Sequence, residues 1–91
     1  MRSVRTQEFR KRYDSLSADI RTKALKSFVN WKNDSSHPGL FFKLVDSEVN
    51  MWSVRVDLDY RALCMKTVLD GETMYVWFWI GPHDEYERLI G

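Results

Sequence analysis

The sequence predicts an α+β fold: an N-terminal helix pair packed on a four- to five-stranded, mainly antiparallel sheet, closed by a short C-terminal helix. Three observations carry this. Apolar residues recur at helical spacing in the first third of the chain. They recur at strand spacing through most of the rest, and Asp70-Gly71 parts two apolar runs as a hairpin turn does. Helices followed by a run of strands favour helices gathered on a sheet over alternating βαβ units.

Taken in order, Gln7 to Leu16 places Phe9, Tyr13 and Leu16 at i, i+4 and i+7, one helical face. Ser17 reads as an N-cap, with Asp19 in the first turn where the helix dipole favours an anion. Ala18 to Lys32 follows, its stripe of Ile20, Ala24, Leu25, Phe28 and Trp31 opposing Arg21, Lys23 and Lys26. The two segments are expected to form an antiparallel pair. Asn33 to Gly39 is turn-rich, and Leu40 to Val45 is a short apolar strand. Met51 to Leu58 alternates, with Trp52, Val54, Val56 and Leu58 on one face and Ser53, Arg55 and Asp57 on the other. Tyr60 to Thr67 and Met74 to Ile80 flank Asp70-Gly71, where glycine supplies the positive φ of a type I′ turn. Pro82 suits the first position of a terminal helix whose apolar side is Tyr86, Leu89 and Ile90. Arg2 to Arg5 add an edge strand.

Strict alternation sets Leu63 and Met65 against Ala62 and Cys64, and Tyr75, Trp77 and Trp79 against Met74, Val76, Phe78 and Ile80. Both sheet faces are therefore apolar. The terminal helix is expected to cover part of the second face and a partner protein the rest.

Ninety-one residues, 44% of them hydrophobic, make one domain spanning residues 1–91, which buries roughly 60–65% of its unfolded surface. The single cysteine, Cys64, excludes an internal disulfide and fits a reducing compartment. The longest purely apolar run, Met74 to Ile80, falls well short of the ~18 residues that span a bilayer. The basic start MRSVRTQEFRKRY has no apolar stretch behind it, so it is not a secretory signal. A cytoplasmic protein without membrane contact is expected. Net charge is +1, yet Met1 to Lys32 carries nine basic residues against three acidic ones; a basic half can meet phosphate although the total is balanced. There is no Gly-rich phosphate loop. His83, Asp84 and Glu85 are consecutive, so on a helix they fan out by ~100° each and cannot converge on one ion. Neither a metal nor a cofactor is expected.

WSVRVDLDYRAL (Trp52 to Leu63), then VWFWIGPHDEYERLI (Val76 to Ile90), resembles the RelE/ParE superfamily of bacterial toxins from type II toxin–antitoxin modules, in the branch ending WIG-x-H-x-x-Y. The N-terminal F-x-x-x-Y-x-x-L (Phe9, Tyr13, Leu16) and HPGLFFKLV (His37 to Val45) fit the same family, so the resemblance spans nearly the whole chain. It implies a toxin that cuts mRNA, usually on the ribosome, as a metal-free endoribonuclease inhibiting translation. The alternative it implies is a non-catalytic toxin acting on DNA gyrase or another protein. Either kind is held inactive by a cognate antitoxin.

Metal-free RNA cleavage needs a base for the 2′-hydroxyl, an acid for the leaving 5′-oxygen, and cations for the phosphorane. An imidazole ordinarily titrates near neutrality, and His83 matches the histidine after the last strand of the nuclease branch, so it is the candidate acid. Arg61 stands where the family contacts the scissile phosphate; otherwise it pairs with Asp59, Asp84 or Glu85. Arg55, on the polar face of the preceding strand, is the second phosphate candidate. Tyr86 stacks a base or anchors the terminal helix in the core. Lys43 contacts RNA or protects an edge strand, and His37 contacts RNA or serves the Ser-Ser-His-Pro turn. Some members carry a glutamate or second lysine as base in the first long strand; here Lys43 alone is ionisable, and the base is unassigned. Cys64 and the pair Trp77 and Trp79 read as packing residues. The catalytic reading requires His83, Arg55 and Arg61 to converge at one open rim.

Overall fold

The computed structural model describes residues 2–91, as β1 (Arg2–Arg5), α1 (Gln7–Asp14), α2 (Ala18–Asn33), a 3-10 turn (Pro38–Leu40), β2 (Lys43–Asp46), β3 (Met51–Asp57), β4 (Tyr60–Leu69), β5 (Glu72–Pro82) and α3 (His83–Ile90). The sheet order is β1-β5-β4-β3-β2; β1 runs parallel to β5 and every other pair is antiparallel. The expected α+β architecture is the one observed. No helix among the described residues is long and apolar enough to cross a membrane.

Local chemistry sets the helix starts. The Thr6 hydroxyl accepts from the Phe9 amide at 3.1 Å, and Ser17 accepts from Ile20 at 3.3 Å, each satisfying a first-turn donor that the helix leaves free. Thr6 also donates its amide to the Trp77 carbonyl at 2.9 Å, which turns the chain out of β1 and into α1 alongside β5. α2 lies across β3. Phe9, Ile20 and Trp31 from the helices close a core over Val54, Val56, Ala62, Cys64, Tyr75, Trp77 and Ile80. Each helix packs primarily on the sheet. Leu25, expected in the buried stripe of α2, is exposed, and so are Leu58 and Leu89. Leu58 falls in the turn after β3, beyond the reach of the pleat.

Two further corrections come from the backbone. β2 begins at Lys43 rather than Leu40, because Leu40 turns inward in the 3-10 turn and Phe41 takes a left-handed φ of 46°. Alternation also fails in β5. Leu63 pairs with Trp79 and Cys64 with Trp77, so Phe78 is an extra residue on one strand, a bulge. Tyr75, Trp77 and Ile80 therefore share the core under the helices, while Trp79 points to the opposite face. There Leu63, Trp79 and Tyr86 form a second, smaller cluster under α3. The Asp70-Gly71 hairpin has φ of 53° and 77°, both positive as type I′ demands. Pro82 is the N-cap of α3, one position before the expected first turn.

Candidate functional site

The face under α3 carries the charged residues, and strand pairing places them. Lys43 pairs with Ser53, Ser53 with Leu63, and Leu63 with Trp79, one row across the sheet. The parallel row two residues along holds Arg55, Arg61 and Gly81. Extending the β2 pairing by two residues would set Phe41 opposite Arg55. The guanidinium carbon of Arg55 does lie 4.1 Å from the Phe41 ring centroid, a cation–π distance. The sequence thus delivers an aromatic ring and two guanidiniums side by side.

Arg61 is held by backbone, not by acid. Its Nη1 donates to the carbonyls of Asp57 (2.6 Å), Tyr60 (2.9 Å) and Leu58 (3.4 Å). Asp57 spends one carboxylate oxygen on the Asp59 amide and the other on Lys23 Nζ, at 3.4 Å. Among the described residues neither Arg55 nor Arg61 forms an ion pair, so the alternative of a pair with Asp59, Asp84 or Glu85 is not what the structure has. Arg55 Nε is buried without an acceptor. Burial, and then the neighbouring charge of Arg55, lower the Arg61 pKa; Asp57 and Glu87 act in the opposite sense. A guanidinium stays charged regardless. The result is a pair of like charges whose natural complement is an anion.

α3 forms the other wall. The His83 amide donates to the Asp59 carbonyl at 2.7 Å, tying the start of the helix to the turn that precedes Arg61. His83 Nε2 lies 3.1 Å from Glu87 Oε1, one helical turn on, and its ring is 5.7 Å from that of Tyr86. Tyr86 is 3% exposed and donates its hydroxyl to buried Ser53 Oγ at 3.1 Å. Its ring anchors α3 to the sheet. Gly81 makes room beneath: a Cβ there would lie 2.7 Å from the Trp79 ring.

Of the residues singled out from sequence, Arg55 and Arg61 are adjacent, Lys43 sits one row away on the same face, exposed, and His83 borders the row through the Asp59 tie. His37 caps the 3-10 turn that ends at Phe41, its Nδ1 accepting from the Gly39 amide at 3.1 Å. Phe41, Ser53 and Glu87 were not anticipated. Glu87 was legible as an i, i+4 neighbour of His83; Phe41 was hidden by reading Leu40 to Val45 as one strand. Among the described residues no three His, Cys, Asp or Glu side chains gather where one ion would sit.

No protein-family model and no curated protein matches the chain. Solved structures do. The chain is similar to the YoeB/ParE toxin from Agrobacterium tumefaciens, at 16% identity and TM-score 0.69, covering 91% of this chain and 99% of that one. It is likewise similar to the RelB-RelE antitoxin-toxin complex from Methanococcus jannaschii, at 13% identity and TM-score 0.68, covering 97% and 99%. The fold is RelE/ParE-like.

Proposed function

We propose that this chain is the toxin of a type II toxin–antitoxin system, acting in the cytoplasm as a metal-free endoribonuclease that cuts mRNA at the ribosome and so inhibits translation. The observation that carries the reading is the Arg55–Arg61 pair, two guanidiniums opposed on one sheet face without a carboxylate partner. A phosphodiester bridging them removes their mutual repulsion. The substrate 2′-hydroxyl gives up its proton to solvent water, its oxygen attacks phosphorus, and the P–O5′ bond breaks to leave a 2′,3′-cyclic phosphate. The guanidiniums stabilise the charge that builds on the phosphorane oxygens. His83 donates a proton to the departing 5′-oxygen, with Glu87, 3.1 Å from Nε2, orienting the imidazole. Lys43 meets a neighbouring phosphate.

The antitoxin partner finds support on the face under α1 and α2, not on the α3 face where the sequence places it. A groove of about 370 Å³ between α1, α2 and β1 has exposed Val4 and Leu25 among its lining residues. One of the similar structures is itself an antitoxin-toxin complex.

Induced expression in bacteria tests the reading. Growth arrest with cut transcripts is expected from the wild type, and purified protein should cut ribosome-bound mRNA in the presence of a chelator. His83→Gln and Arg61→Ala should each abolish both. Arrest with intact transcripts and broken DNA would point to gyrase and overturn the nuclease assignment; arrest that survives both substitutions would overturn the site.

A further inference from the structure

We propose that Phe41 is the stacking platform for one unpaired nucleobase of the RNA, next to the phosphate between Arg55 and Arg61. The inference rests on the ribonuclease reading and extends it to the substrate's form: single-stranded at this nucleotide, since a paired base hides its face.

Four observations support it. Phe41 is 57% exposed, the one aromatic among the exposed large apolar side chains of the described residues. Its backbone is left-handed, φ 46°, a conformation uncommon for a bulky residue and one that clusters at binding sites. That φ separates it from Phe42, which packs inward, stacked on Trp52 at 4.9 Å. Finally, the Arg55 guanidinium covers one face of the Phe41 ring. A base on the other face completes a guanidinium–aromatic–base stack, the kind of arrangement single-strand binders use. The other aromatics on this face are more enclosed, Phe78 being half-buried against the Leu63–Trp79–Tyr86 cluster. Tyr86 is buried with its hydroxyl committed to Ser53, and Trp79 is buried over Gly81.

The test uses a single-stranded oligonucleotide carrying 2-aminopurine, made uncleavable by a 2′-O-methyl group at the scissile position. Binding to the wild type should quench the fluorophore. Phe41→Ala should abolish the quench and weaken binding about 5- to 150-fold, the range expected for one lost base–aromatic stack. Phe41→Trp should keep both. Phe41→Gly relieves the left-handed backbone, so it folds at least as well as wild type and should bind as poorly as Phe41→Ala. An abasic nucleotide in place of the base should make wild type and Phe41→Ala bind alike. If Phe41→Ala and Phe41→Gly bind and quench like wild type, the platform is refuted while the ribonuclease reading stands. A wild-type chain that binds and cuts no RNA at all overturns both.

Discussion

Arg55 and Arg61 face each other across β3 and β4, and no carboxylate comes between them. A register that opposes two like charges costs stability, of order 0.2–1 kcal/mol, and Arg55 adds a buried, unpartnered Nε. Folding alone would select against such a pair, so its presence argues for a ligand that neutralises it. Arg55→Met keeps an apolar stem against Phe41 and removes the repulsion. It should raise the urea midpoint by the equivalent of about 0.5–1 kcal/mol while RNA cleavage falls at least ~100-fold. A variant less stable than wild type would mean that Arg55 holds the fold together.

His83 and Glu87 form an exposed i, i+4 pair, and such pairs add only about 0.2–0.5 kcal/mol to a helix. His83→Gln and Glu87→Gln should therefore leave urea stability nearly unchanged. Single-turnover cleavage should separate them: His83→Gln loses roughly 10²–10⁴-fold, the contribution of one acid–base group, and Glu87→Gln loses less. Because Glu87 works through the imidazole, the double variant should be no slower than His83→Gln alone. Additive losses would give Glu87 a role of its own at the substrate.

Much of this fold was legible because its signals were local. Ser17 as a cap, Asp70-Gly71 as a turn, and the clean alternation at Trp52, Val54 and Val56 each depend on a few neighbouring residues. What eluded the sequence was set by distant partners. The bulge at Phe78 sends Trp79 away from Trp77 because two strands, not one, decide the register. Phe41 leaves the strand because Leu40 finds a place in the core. At the site, the adjacency of Arg55 and Arg61 was latent in the alternation, whereas burial of Tyr86 followed from Ser53, whose polarity suggested an exposed face.

Cys64 is fully buried, and burial pushes its thiol from 9.0 up to about 12. The sign follows from which state ionises first. The unfolded thiol loses its proton above about pH 9, while the folded one stays neutral to about 12. Its contribution to stability is whole below that window and is lost as pH rises through it, by up to ~1.4 kcal/mol per pH unit. Cys64→Ala loses packing at every pH but not this titration. The stability gap between wild type and Cys64→Ala, measured by urea unfolding, should narrow by about 1 kcal/mol between about pH 8 and pH 10. A constant gap would contradict a neutral buried thiol.

The Tyr86–Ser53 hydrogen bond joins α3 to the sheet at a point where both residues are buried, so each partner's loss strands the other. Ser53→Ala leaves a buried phenol without an acceptor, and Tyr86→Phe leaves a buried hydroxyl without its donor. Each should cost about 1–3 kcal/mol. The double variant should cost little more than either, because no orphan remains. Activity should follow position. α3 carries His83, so Tyr86→Phe should slow cleavage in step with its stability loss, while RNA binding at Arg55 and Arg61 persists. Cleavage that collapses in Tyr86→Phe without any loss of stability would instead bring the Tyr86 hydroxyl to the substrate itself, which its burial and its bond to Ser53 argue against.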